Sequence, residues 1–196
     1  MASTALRDFI HDSLELYRTT TRESLDGLTT DDLLWRPAPD SMSIGLLTWH
    51  VSRVHDLLIQ TRARGVDQLW DSDGWAERFD RSPARRGDTG FGFTAEEMDA
   101  FFTPPTDVLY AYLEATWEAT FDALDAVDDA GLATTMVDGP LGGQLTLADL
   151  YRQLIWEVNQ HAGQMAYLRG LLRGLEDAHK MSPVWVDAAA TADNDS

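Results

Sequence analysis

The sequence predicts an all-α fold, a four-helix bundle with a long crossover connection between its second and third long helices. Apolar residues recur at helical spacing through four long stretches of the 196-residue chain. No alternating stretch longer than a few residues signals a sheet. Residues 65–103 join two of the helical stretches by a connection too long for a turn, which favours a topology other than simple up-down-up-down.

The first helix is read from about Thr4 to Gly27, with Leu6, Phe9, Ile10, Leu14, Tyr17 and Leu25 on one stripe and Gly27 as its stop. A short turn, "TTDDLLWRP", follows, capped by Thr29 or Thr30 and terminated by Pro37. The second long helix starts at Ser41 or Ser43 and buries Leu47, His50, Val51, Val54 and Leu58. The 65–103 connection is rich in Gly, Asp and Arg and carries Trp70, Trp75, Phe79, Phe91 and Phe93. Within it, Thr94 and Glu97 form a capping-box pattern ahead of a short helix. The third long helix begins after Thr103, with Pro104 or Pro105 in its first turn, and runs to about Val127. Leu109, Leu113 or Tyr112, Trp117, Phe121 or Thr120, and Leu124 mark its buried face. "VDGPLGGQ" is a break, and the fourth long helix runs from its Thr146 cap to about Glu176. Residues 1–180 are therefore expected to form one domain, and 181–196 a polar, flexible tail.

Composition removes several classes of function. There is no cysteine, so disulfides, thiolate metal sites and a cysteine nucleophile are excluded. A formal net charge of −18 opposes binding to nucleic acid or to anionic membranes. Charges interrupt the amino-terminal segment "RDFIHDSLELYR", and no apolar run approaches a membrane span, so a cytoplasmic protein is expected.

The chemistry concentrates in "ADLYRQLIWEVNQHAGQMAYLRGLLRG", residues 148–174. Leu150, Leu154, Met165, Leu168 and Leu172 form its apolar stripe, yet Glu157 and His161 fall within the same stripe, four residues apart and so on one face. His50 interrupts the stripe of the second long helix. A buried carboxylate is costly without a partner, and two imidazoles with one carboxylate around a divalent cation remove that cost. Three protein ligands leave coordination positions open, as catalytic sites do, and the donor set suits zinc, nickel or ferrous iron. The ordinary alternatives are a core histidine bonded to a carbonyl for His50, and an ion pair with Arg152 or Arg53 for Glu157. The spacing alone leaves both readings open.

"RPAPDSMSIGLLTWHVSRVHD" and "NQHAGQMAYLRGLL" resemble the two signature stretches of the DinB-like superfamily of metal-binding four-helix bundles. The intervening "VDQLWDSDGWAERFD…DTGFGFTAEEMDAFF" resembles an actinobacterial branch of that family described as mycothiol-dependent transferases. The likeness runs from about Leu6 to Gly174. It implies one histidine ligand on the second helix and two ligands four apart on the last, which fall on His50, Glu157 and His161. Many members carry histidine where this chain has Glu157, and the carboxylate version occurs in thiol-dependent isomerase relatives that hold zinc.

The resemblance implies a divalent transition metal, zinc first, and a transferase in which a mycothiol-like small thiol attacks an electrophilic substrate. A metal-dependent hydrolase, a non-enzymatic metal-binding stress or interaction module, and a purely structural metal site are the alternatives. Exposed apolar helix faces would allow a homodimer. Candidate substrate contacts are Gln164, one turn past His161 on the last helix, His55 at the mouth, Trp70 and Trp75 as a lid, and Arg85 for an anionic group. Each has a plainer role open to it: an edge residue, a core histidine, pins for the long connection, and a solvated cation.

Overall fold

A computed structural model describes residues 5–81, 88–101, 104–174 and 177. Nine α-helices and one short hairpin are formed among them: α1 (Ala5–Leu25), α2 (Thr30–Leu34), α3 (Ile44–Asp56), α4 (Leu69–Ser72), α5 (Trp75–Arg78), α6 (Ala95–Asp99), α7 (Thr106–Asp125), α8 (Asp129–Thr134), β1 (Met136–Asp138), β2 (Gln144–Thr146) and α9 (Leu147–Arg173). The expected tail, 181–196, lies outside the described residues, as do Arg85 and His179. Among the described residues, no helix is long and apolar enough to cross a membrane.

The four long helices, α1, α3, α7 and α9, make the bundle. Helices α1 and α3 each pack against both α7 and α9. Sequence neighbours α1 and α3 are thus separated by the other pair, as the long crossover predicted. Leu14, Leu47, Leu109, Trp117 and Leu154 belong to the core and are fully buried.

Side-chain caps fix where the helices begin. Ser43, rather than Ser41, caps α3 by accepting from Leu46 N–H, and Thr146 caps α9 by accepting from Asp149 N–H. Thr29 and Asp32 complete a reciprocal capping box on α2, as do Thr94 and Glu97 on α6. Helix α1 ends at Leu25, before Gly27, and α9 ends at Arg173, where Gly174 takes φ +89°. The β1–β2 hairpin forms around the "VDGPLGGQ" break, and α8 fills the stretch just before it, to which the sequence reading assigns no element. Asp128 accepts from Gly131 N–H to start α8, and Gly142 and Gly143 turn the hairpin with positive φ.

Helix α3 continues as a seven-residue π-helical segment, Leu57–Ala63. Such segments are rare and recur near functional sites. The residue at its junction, Asp56, is 1 % exposed and reaches forward to the long connection. Its two oxygens accept from the Leu69 and Trp70 amides, each at 2.8 Å, and so fix the start of α4.

The long connection is packed against the bundle through several of its aromatic residues, while Phe91 is 87 % exposed. Trp70, Trp75, Phe79 and Phe101 are buried, and the Trp70, Phe79 and Tyr112 rings contact one another with centroids 5.2–5.6 Å apart. Of the two roles open to Trp70 and Trp75 in the sequence, a lid over the open metal face or pins for the connection, their burial fits the second: they are only 2 % and 6 % exposed and packed against Tyr112 of α7, so burial of their large apolar area sets their position.

Candidate metal centre

The α9 stripe runs differently from its sequence reading. Val158 and Ala162 take the buried positions between Leu154 and Met165, while Glu157 and His161 flank them at the edge. The two polar residues therefore displace no core side chain. They look across the bundle at α3, whose residues are buried almost all round, His50 included.

There the three side chains converge. His50 Nε2 lies 3.0 Å and His161 Nε2 3.2 Å from the same oxygen, Glu157 Oε1. The two rings meet edge to face with centroids 4.7 Å apart. One ligand atom from each residue lies within 4.8 Å of the others. Side-chain exposure is 5 % for His50, 13 % for His161 and 19 % for Glu157, so the cluster is sheltered but open on one side.

The outer nitrogens of both rings are committed. His50 Nδ1 lies 2.6 Å from the Thr89 carbonyl, and His161 Nδ1 lies 2.7 Å from Gln164 Oε1. The Thr89 carbonyl can only accept, so His50 Nδ1 carries the proton, and Gln164 sets the same tautomer at His161 as long as its amide oxygen faces the ring. A neutral ring then turns its Nε2 lone pair inward, toward a carboxylate that is itself acceptor-only. Two lone pairs facing one carboxylate oxygen repel unless a cation or added protons lie among them. This is the ligand orientation found at metal sites, where the second ring nitrogen donates to a carbonyl. The donor set fits a divalent transition metal.

With no metal bound, the two rings act on Glu157 as donors instead: hydrogen bonds from His161 and then His50 outweigh burial and hold its carboxyl down at about 2, so it stays ionised at neutral pH. Burial works to lower the His161 imidazole, but its bonds to Glu157 and Gln164 prevail and the net direction is up. The alternative partners suggested for Glu157 are engaged elsewhere: Arg152 pairs with Asp149 at 3.0 Å, and Arg53 bonds Asp56 and Tyr112.

Gln164 is at the site, where its carbonyl holds a ligand ring. His55 does not line a mouth: it is 1 % exposed, packed edge-on to Trp117 at 4.3 Å, with Nδ1 3.1 Å from Thr120 Oγ1. Burial pushes its imidazole down to about 3, against a small opposing pull from Glu157, so it is neutral at physiological pH. The 100° step per residue turns His55 to the α7 side of α3, away from the α9 side where His50 points.

Sequence reasoning did not find Thr89, because a carbonyl leaves no trace in residue type. It also passed over the buried group of Arg53, Asp56 and Tyr112. Arg53 donates to Tyr112 Oη (3.1 Å) and Asp56 Oδ2 (3.3 Å), and Tyr112 Oη donates to Asp56 Oδ2 (2.8 Å). Arg53, three residues after His50, was a visible signal: a charged residue on a helix otherwise buried throughout.

No curated protein matches the chain. A crystallographically determined conserved protein from Enterococcus faecalis is similar, with a TM-score of 0.70 and 25 % identity, over 89 % of this chain and 99 % of that one. The sequence profile of the DinB superfamily matches residues 13–165, which include all three clustered side chains. The chain belongs to the DinB superfamily.

Proposed function

We propose that the protein is a divalent-metal-dependent transferase of a low-molecular-weight thiol, with His50, Glu157 and His161 as the metal ligands. The carrying observation is the convergence of two Nε2 atoms on one carboxylate oxygen, with both Nδ1 atoms tied to oxygen acceptors. A bound metal supplies the positive charge that lets a thiol sulfur exist as thiolate near neutral pH. The chain has no cysteine, so a thiolate nucleophile has to arrive as cosubstrate. His50 and His161 hold their lone pairs inward, and Glu157 contributes the one negative charge. The resemblance to mycothiol-dependent transferases supports mycothiol as that thiol and zinc as the metal.

The test is thiol consumption. Protein loaded in turn with zinc, nickel and ferrous iron is assayed with mycothiol, bacillithiol and glutathione against a panel of alkyl and aryl halides. Metal-dependent loss of thiol, absent in His50→Ala and His161→Ala, is the expected result. Hydrolysis of small esters or amides by the loaded protein without thiol would replace this reading with a hydrolase. Tight metal with no turnover in either screen would make it a binding module.

A further inference from the structure

Three successive residues of the long connection, Asp88, Thr89 and Gly90, are each held by a residue of α3. Asp88 O accepts from Arg53 Nε at 3.1 Å. Thr89 O accepts from His50 Nδ1 at 2.6 Å. Gly90, at φ +84°, lies so close to Trp49 that a Cβ there would stand 2.9 Å from its Cζ3. Arg81 adds a fourth hold: its guanidinium sits 4.8 Å above the Trp49 ring and bonds the Asp88 carboxylate at 2.6 Å.

We infer that Arg53 and Gly90 are positioning residues of the metal centre, acting through the Thr89 carbonyl that orients the His50 ring. The inference deepens the metal reading above and rests on it. Thr89 O is one residue from the carbonyl that Arg53 grips, so the direction of the first follows from the placing of the second. Arg53 is 0 % exposed, and its charge is balanced by Asp56 beneath it. An apolar pair of similar volume would avoid the desolvation of two charges. What the charged pair adds is a directed N–H that fixes a backbone carbonyl in space. Lysine cannot reproduce it, because the guanidinium is a rigid fork with donors on several edges and the ammonium is a point charge. Gly90 serves the same end from the other side. Trp49 is fully buried and cannot yield, so a methyl at position 90 would move the loop and take the carbonyl off the ring.

The test uses cobalt(II) as probe in the full-length protein. Its dissociation constant is measured by competition with a chromophoric chelator for wild type, Arg53→Lys, Gly90→Ala and the control Gly142→Ala. The last strains a positive-φ position in the hairpin, where added atoms meet open space. The visible spectrum of bound cobalt and the melting temperature of the metal-free protein are recorded alongside. Arg53→Lys and Gly90→Ala should each lose affinity by about 10–100-fold, the usual effect of removing support from a ligating histidine, and shift the cobalt bands. Gly142→Ala should keep both affinity and bands while lowering the melting temperature. Lower melting temperatures with wild-type affinity and spectrum in both variants would reduce Arg53 and Gly90 to stability roles and overturn the inference. Where Arg53→Lys does not fold, Gly90→Ala decides alone, and wild-type affinity in it overturns the inference. Failure of wild type to bind cobalt would overturn the metal reading and this inference together; binding in wild type with unaffected variants overturns the inference only.

Discussion

His50 and Glu157 stand 107 residues apart in sequence and 3.0 Å apart in space, imidazole Nε2 against carboxylate Oε1. The contact ties α3 to α9 at the point where His161 also arrives. Its chemistry depends on what lies between the atoms.

Glu157→Gln keeps the size of the side chain and removes its negative charge. Metal affinity should fall by at least about tenfold, since neutral amides are poor partners for a divalent cation already served by two neutral imidazoles. Glu157→His should retain most of the affinity, because it restores a nitrogen donor at the same position. Isothermal titration with zinc distinguishes them. Equal binding by wild type and Glu157→Gln would remove Glu157 from the ligand set.

Metal should also stabilise the fold. With free zinc at 100 times its dissociation constant, the unfolding free energy should rise by about 2.7 kcal/mol, and the rise should vanish in His161→Ala. Urea melts with zinc and with chelator give the number directly. An equal rise in His161→Ala would place the stabilising ion elsewhere.

His55 makes an independent pH prediction. Its folded value is near 3 and its unfolded value near 6.5, so between them the unfolded chain binds more protons and stability increases with pH. The contribution is complete above pH 6.5 and is lost as pH falls toward 3, at about 1.4 kcal/mol per pH unit. Replacing His55 by Gln keeps a donor for Thr120 and removes the titration. The wild-type minus variant difference, from urea melts between about pH 4 and 7, should slope accordingly. A flat difference would mean that the ring is hydrated or protonated in the folded state.

Asp56 balances the buried Arg53 and anchors the start of α4. Asp56→Ala leaves that guanidinium without its partner in the interior and should cost about 3–5 kcal/mol. Tyr112→Phe removes one hydroxyl from the same group and should cost about 1–3 kcal/mol. Chemical denaturation measures both, and a loss under about 1 kcal/mol for Asp56→Ala would show that Arg53 finds other compensation.

The bundle was legible because its signal is periodic and repeated: Leu109, Trp117 and Leu124, or Leu150, Leu154 and Met165, can face only one way on a helix. The cluster of His50, Glu157 and His161 was legible as three polar interruptions, although Glu157 and His161 proved to border the stripe, with Val158 and Ala162 filling it. Helix α8 and the hairpin were hidden for a different reason. Helix α8 is six residues and each strand three, too short for periodicity to register. His55 and Trp70 each kept two readings open, mouth or core and lid or pin, because sequence gives the angle of a side chain around its own helix and not which neighbour waits there. Thr89 was invisible because its contribution is main-chain.

The distance along the chain between His50 and its two partners has a consequence for biosynthesis. Synthesis proceeds from the amino end, so a nascent chain carries a single isolated imidazole of the trio until the last long helix has been made. The other two side chains of the cluster are then delivered together, on one turn of α9. A metal held by all three would have to be acquired late, after α9 has docked on the other long helices, by an assembled protein rather than by an emerging one.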